Sequence, residues 1–214
     1  MASLYSETSQ YKKALELATK SLEQARQAKD AEEITARKLL LAEIFKESGD
    51  YAIAVEIASE VRQIAVDEND QLTLFHSLLQ LADYAYELDN NQKACIELIE
   101  AENVASTAGY QQGIAASLSL RARILIDSDQ AEISLVLLKR AVEIFQNTGD
   151  LHGQAGGNFH TAIAHLALGK VEQSRALALL AIKQYESIQS KTAEVVKDWF
   201  DNRDEFQHSG ESDE

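Results

Sequence analysis

Apolar side chains in this chain recur at helical spacing over stretches of about 16–18 residues, roughly 25 Å of helix each. Short polar runs cut these stretches: "SGD" at 48–50, "DEND" at 67–70, "LDNN" at 88–91, "TAGY" at 107–110, "DSDQ" at 127–130, "NTGD" at 147–150 and "LGK" at 168–170. The cuts fall about 20 residues apart, which predicts helices of nearly equal length joined by short turns. Asp50, Asp70, Asn90 and Asp150 stand where the following helix wants an N-cap, because their side-chain oxygens can accept from its orphan N–H groups. Gly49, Gly109, Gly149 and Gly169 stand where the preceding helix must stop, in backbone that glycine enters without a Cβ penalty.

The octets "EIFKESGD", ending at Asp50, and "EIFQNTGD", ending at Asp150, agree at five of eight positions and lie 100 residues apart. They do not mark a 100-residue duplication, because the small residues repeat every 40: Ala42, Ala82, Ala122 and Ala162 at one phase, Ala14, Ala54, Ala94, Ser134 and Ser174 at a second, Ser21, Val61, Ala101, Ala141 and Ala181 at a third. Small side chains at fixed phase let helix backbones approach, and large ones such as Ile44, Phe45, Tyr84, Ile124 and Leu125 fill the space between layers. The unit is therefore a helix pair, which buries its apolar face only by stacking on neighbours. Pairs are predicted at 31–67, 70–107, 110–147 and 150–189, after a cap-like helix at 10–28. Phe45 then closes the leading helix of a pair and Phe145 the trailing helix of another. A last helix at about 190–206 would cover the final apolar face with Val195, Val196, Trp199 and Phe200, as terminal repeats do.

"GDYAIAVEIA" (49–58) and "SQYKKALELA" (9–18) resemble the turn and second helix of tetratricopeptide repeat (TPR) proteins, through Gly49, Asp50, Tyr51, Ala54 and Ala58 and through Tyr11, Ala14 and Ala18. "NNQKAC" (90–95) and "LGKVEQSRALALLA" (168–181) are looser copies, and Leu41-Ala42 and Leu81-Ala82 take the place of the family's Leu-Gly pair. The family's tryptophan in the first helix and its closing proline are missing, and the unit is 40 residues long, as in Leu-Gly-Asn repeat adaptors, kinesin light chains and some bacterial peptide-responsive regulators. The resemblance covers residues 4–190. It implies an all-α fold, a right-handed superhelical array of antiparallel helix pairs or TPR-like α-solenoid, as a single domain over residues 1–207. The polar, acidic residues 208–214 are expected to form a disordered tail.

Composition narrows the function. The chain has 214 residues, no proline, nine glycines and a formal net charge of -15. Such a surface repels phosphate backbones, so no nucleic-acid partner is expected, and no apolar run suits a membrane span. Cys95 is the single cysteine, which precludes an internal disulfide or a thiolate metal cluster. The beginning "MASLYSETSQ" lacks the basic and apolar parts of a signal peptide, and a cytoplasmic protein is expected. "HGQAGGNFH" (152–160) has no following lysine in the Walker pattern and no preceding strand, so its glycines read as close helix packing against 130–147. His152, His160 and His165 lack the alignment of metal ligands on one helix. No catalytic residue, metal or cofactor is expected.

The resemblance places the concave groove on the leading helices. Carried over, its lining is Leu39, Glu43, Lys46, His76, Gln80, Asp83, Tyr86, Ser119, Arg123, Asn158, Phe159 and Ile163. The family's clamp for acidic C-termini needs Lys, Asn and Arg at set phases. Glu43 and Asp83 stand at such positions here, and they favour a protein or peptide partner with a basic segment. The expected function is a non-enzymatic adaptor or scaffold that holds a partner's peptide or helix. The alternatives are a structural homo-oligomer that stacks through its end faces and a peptide-responsive regulatory domain.

Overall fold

The computed structural model describes residues 2–203, with side chains from Tyr11 onward. Every regular element in it is helical: α1 (Ala2–Ala28), α2 (Ala31–Glu47), α3 (Tyr51–Asp67), α4 (Gln71–Glu87), α5 (Asn91–Thr107), α6 (Gln111–Asp127), α7 (Ala131–Thr148), α8 (Leu151–Ala167), α9 (Val171–Ser187) and α10 (Thr192–Asp201). The chain forms two compact units, Met1–Ala108 and Gly109–Glu214. In the first unit, α2 and α4 are leading helices and α1, α3 and α5 are trailing ones. In the second, α6, α8 and α10 lead and α7 and α9 trail.

The rhythm is set at the turns. Residues 29, 49, 69, 89, 109, 129, 149, 169 and 189 all have positive φ, between 54° and 85°. Next to them one hydrogen-bond pattern recurs. The N–H of residues 30, 50, 70, 90, 130, 150, 170 and 190 donates to the carbonyl five residues earlier, at 2.8–3.2 Å, which closes each helix in a Schellman turn. The residue that closes one helix also opens the next. Asp70 accepts from the N–H of Leu72 and Thr73, Asn90 from Lys93, and Asp150 from Gly153. Asp50 makes no such bond; its carboxylate accepts from the Ser48 hydroxyl at 2.9 Å instead. Asp30 caps α2 through Glu33 N–H.

Two element bounds differ from the sequence reading. α1 runs back to Ala2 as one helix, because nothing in "ASLYSETS" breaks it. α10 stops at Asp201, and residues 204–214, including the expected tail, lie outside the described part.

The small columns sit where the helices meet. Ala42, Ala82, Ala122 and Ala162 are at most 1% exposed, and Ala54, Ala94, Ser134 and Ser174 are at 0%. In the first unit Ala42, Ala54, Ala58, Leu81 and Tyr84 form a core cluster, flanked by Phe45, Val55 and Ile57. In the second, Ala122, Ile126, Ala131, Leu138 and Ala164 form one cluster, and Ala155, Ile182, Tyr185, Ala193 and Val196 another. Phe45 is on α2 and Phe145 on α7, so the two octets serve different members of a pair. The glycines of α8 are contact points. A Cβ on Gly153 would lie 2.4 Å from the Phe145 ring, and one on Gly157 would lie 2.5 Å from Val142, both on α7; one on Gly156 would face the Tyr185 hydroxyl of α9 at 3.1 Å.

Candidate functional site

The leading helices of the first unit are tied side by side. Gln80 donates through Nε2 to the Leu39 carbonyl at 3.1 Å. Lys46 Nζ lies 2.5 Å from Glu43, 3.2 Å from Asp83 and 3.5 Å from Glu47. Residues 39 and 46 thus meet 80 and 83, so α2 and α4 run in the same direction. Desolvation pulls the Lys46 pKa down, but the hydrogen bond to Glu43 and the charge of Asp83 outweigh it and raise it, so the ammonium stays charged. Beneath the pair, Tyr84 is fully buried. Its hydroxyl faces Glu43 without a well-aligned hydrogen bond, and burial with the nearby carboxylates raises its pKa.

Above this tie lies an exposed surface. His76 is exposed, its ring edge-on to Phe75 at 5.4 Å, and Tyr86 is half-buried. Of the first unit's expected groove residues, Glu43, Gln80 and Asp83 are thus brought together by the tie, and His76 lies one turn before Gln80. Two neighbours on the same stripes were missed: Leu40 is 44% exposed and Leu72 57%. Leu40, Glu43 and Glu47 follow i, i+3, i+7 spacing, and Leu72, His76, Asp83 and Glu87 continue the matching stripe on α4. The sequence holds that signal, but hydrophobicity alone reads both leucines as core.

The second unit's expected residues part company. Asn158 is 8% exposed and donates from Nδ2 to Gln184 Oε1 of α9 at 2.8 Å, so its amide ties α8 to α9. Phe159 is half-buried and meets Trp199 of α10 edge-on at 5.1 Å. Arg203 completes that stack, 4.0 Å above the Trp199 ring. Ser119 and Arg123 are half-buried on α6. His160 packs beside Phe159, with ring centroids 5.9 Å apart. Burial and the Arg123 charge push the His160 pKa down to about 4, against the pull of Asp127. A cleft of about 390 Å³ opens between α7 and α8, lined by Leu135, Lys139, Val142, Glu143, Gln146, Asn158, Thr161 and His165. His152 lies against Tyr185, ring centroids 5.2 Å apart, away from the other two histidines' surroundings.

On the trailing helices, Arg62 of α3 bridges Glu97 at 3.3 Å and Glu100 at 2.6 Å on α5. Glu97 is buried, and desolvation raises its pKa although Arg62 opposes the shift. The bridge serves packing. Among the described residues no group of three His, Cys, Asp or Glu side chains could hold a metal ion, and no helix is long and apolar enough to cross a membrane.

No family model matches the sequence, and no curated protein matches it. Solved structures do. BtubC (BKLC) from P. vanneervenii superposes with a TM-score of 0.71 at 18% identity, covering 88% of this chain and 78% of that one. A putative kinesin light chain from Podosopora anserina, with nearly identical TPR-like repeats, gives 0.60 at 21% identity, covering 89% and 92%. The apo form of RapI gives 0.64 at 13% identity, covering 92% and 77%. At these identities the likeness is one of fold: the chain is an all-α, TPR-like array of helix pairs, similar to kinesin light-chain repeats.

Proposed function

We propose that the protein is a non-enzymatic interaction scaffold that holds a peptide or helix of a partner protein on the exposed face of its leading helices, in a right-handed array working in the cytoplasm. The observation that carries this reading is the α2–α4 tie. Lys46 and Gln80 fix the two helices against each other through charged and backbone partners. The face above them is thereby preorganised, which lowers the ordering cost of binding. That face still exposes Leu40, Leu72 and His76, and exposed apolar side chains on a fixed surface are what a partner can cover. Charged groups of both signs on the face suit a polypeptide ligand better than a small apolar one.

The test is site-specific photo-crosslinking in cells, with benzoylphenylalanine replacing His76 on the face and, separately, Glu56 on the opposite, exposed side of α3. The reading expects a discrete protein adduct from position 76 that is absent from position 56. Adducts from position 56 alone would move the working surface to the trailing helices.

A further inference from the structure

The exposed face of α2 and α4 is graded along its length. Its early part carries Leu72, His76 and Leu40, and its later part carries Glu43, Glu47, Asp83 and Glu87. Because α2 and α4 run in the same direction, the two acidic ends coincide. Lys46 is shared by Glu43, Glu47 and Asp83. Glu47 and Glu87 are both exposed beside it, and they give that end of the face a negative field.

We infer that this face takes a segment of a partner protein in which aliphatic side chains are followed or preceded at short range by lysine or arginine. The inference rests on the proposal that this face is the binding surface, and it names the partner's chemistry. The aliphatic side chains cover Leu40 and Leu72, and the basic ones meet the exposed Glu47 and Glu87. Spacing follows from helix geometry: Leu40 to Glu47 and Leu72 to Asp83 span about 10–16 Å along the axis at 1.5 Å per residue. An extended segment crosses that distance in about three to five residues. Lys46 does not compete, because Glu43 and Asp83 hold it at the seam between the helices. The chain's net charge of -15 speeds the approach of such a segment and slows that of an acidic one.

The experiment uses the full chain and fluorescein-labelled peptides, with binding read by fluorescence polarisation at low and high salt. One peptide carries a leucine pair and a lysine pair separated by a Gly-Ser spacer of about four residues. A second replaces the lysines with glutamates, a third replaces the leucines with serines, and a fourth reverses the order of the pairs. The expected result is that the leucine–lysine peptide, in one of its two orders, binds at least about tenfold tighter than the glutamate peptide. Salt should narrow that gap, and the serine peptide should be weaker. Equal or tighter binding of the glutamate peptide overturns the inference, and so does the absence of binding by both leucine–lysine peptides.

A Leu40→Ser, Leu72→Ser variant separates this inference from the reading beneath it. Both side chains are exposed, so the variant should melt near wild type by circular dichroism. Loss of all peptide binding in the variant, with no preference for lysine over glutamate in wild type, keeps the face and rejects the charge rule. Full retention of binding in the variant rejects the face itself.

Discussion

Lys46 Nζ sits 3.2 Å from the Asp83 carboxylate, and this one contact joins two helices that are separated by a third in the chain. The same ammonium is 2.5 Å from Glu43, and its side chain is only 17% exposed. Removing the cation therefore leaves carboxylates facing each other in a half-covered seam. Lys46→Met should cost about 1–2 kcal/mol in urea denaturation followed by circular dichroism. Glu43→Lys with Asp83→Lys gathers three ammonium groups at the seam and should cost more than Lys46→Met. Wild-type stability in both variants would show that the contact does not hold α2 to α4. Charge reversal at these two positions is accordingly a poor probe of binding, because it alters the fold at the same time.

The glycines of α8 make a graded series. Alanine gains about 1 kcal/mol over glycine inside a helix, so a glycine with room beside it should be improved by the change. At Gly153 and Gly157 the new methyl would meet Phe145 and Val142 at 2.4 and 2.5 Å. Phe145 is buried and Val142 half-buried, so neither can easily withdraw. Each alanine variant should lose about 1–3 kcal/mol. Gly156→Ala should fall within about 1 kcal/mol of wild type, because its neighbour at 3.1 Å is the end of the Tyr185 side chain. Trp199, the single tryptophan, reports the second unit by fluorescence. The close-packing account fails if the three variants show no order, or if Gly156→Ala is the worst.

The fold was legible because a period is a collective signal: the helix ends, the alanine columns and the caps all repeat together, and local errors cancel. Surface assignments carry no such redundancy. Asn158 and Phe159 are adjacent, so on a helix their side chains diverge by about 100°. The structure sends Asn158 to Gln184 and Phe159 to Trp199. Leu40 and Leu72 were missed for the opposite reason, because an aliphatic residue in an amphipathic helix is read as buried. The turns were only partly legible. Glycine announces left-handed backbone, whereas Lys29, Asn69, Asp89, Asp129 and Gln189 adopt it through the repeat that surrounds them.

Those five turns store local strain, and the strain should be recoverable. Lysine and glutamine have neither the Cβ freedom of glycine nor the local hydrogen bonding that lets Asn and Asp tolerate positive φ. Lys29, at φ 57°, and Gln189, at φ 54°, are both exposed, so glycine removes no packing there. Lys29→Gly and Gln189→Gly should each stabilise by about 0.5–1 kcal/mol, and Asp129→Gly by less. Thermal melts of the single variants would check this, and destabilisation by either of the first two would contradict the turn geometry.

His160 gives the second unit a pH dependence of known sign. In the unfolded chain the imidazole takes a proton near pH 6.5, whereas in the folded unit burial and Arg123 hold it neutral until about pH 4. Between those values the unfolded state binds more protons, so stability is lost as pH falls. At pH 5.5 the loss should approach about 1.2 kcal/mol relative to neutral pH. His160→Gln removes the titrating group, so the difference in stability between variant and wild type should shift by that amount from pH 7 to 5.5. Urea titrations read at Trp199 would measure it. A difference that does not move with pH would mean that the imidazole is open to solvent and charges normally.

Ala122 tests the central claim that small residues at fixed phase set the distance between helices. Its side chain is fully buried in a cluster with Ile126, Ala131, Leu138 and Ala164, contributed by three successive helices, α6, α7 and α8. A larger side chain cannot turn toward solvent there, because the position is 0% exposed and enclosed by residues of all three helices. Ala122→Trp should therefore separate the helices and cost about 3 kcal/mol or more. The same substitution at Ala176, exposed on α9, should stay within about 0.5 kcal/mol. Both are read by circular dichroism in urea, since an added tryptophan complicates fluorescence. If Ala122→Trp unfolds at the wild-type midpoint with an unchanged slope, the column does not set helix spacing, and the 40-residue phase assigned to the leading helices is wrong.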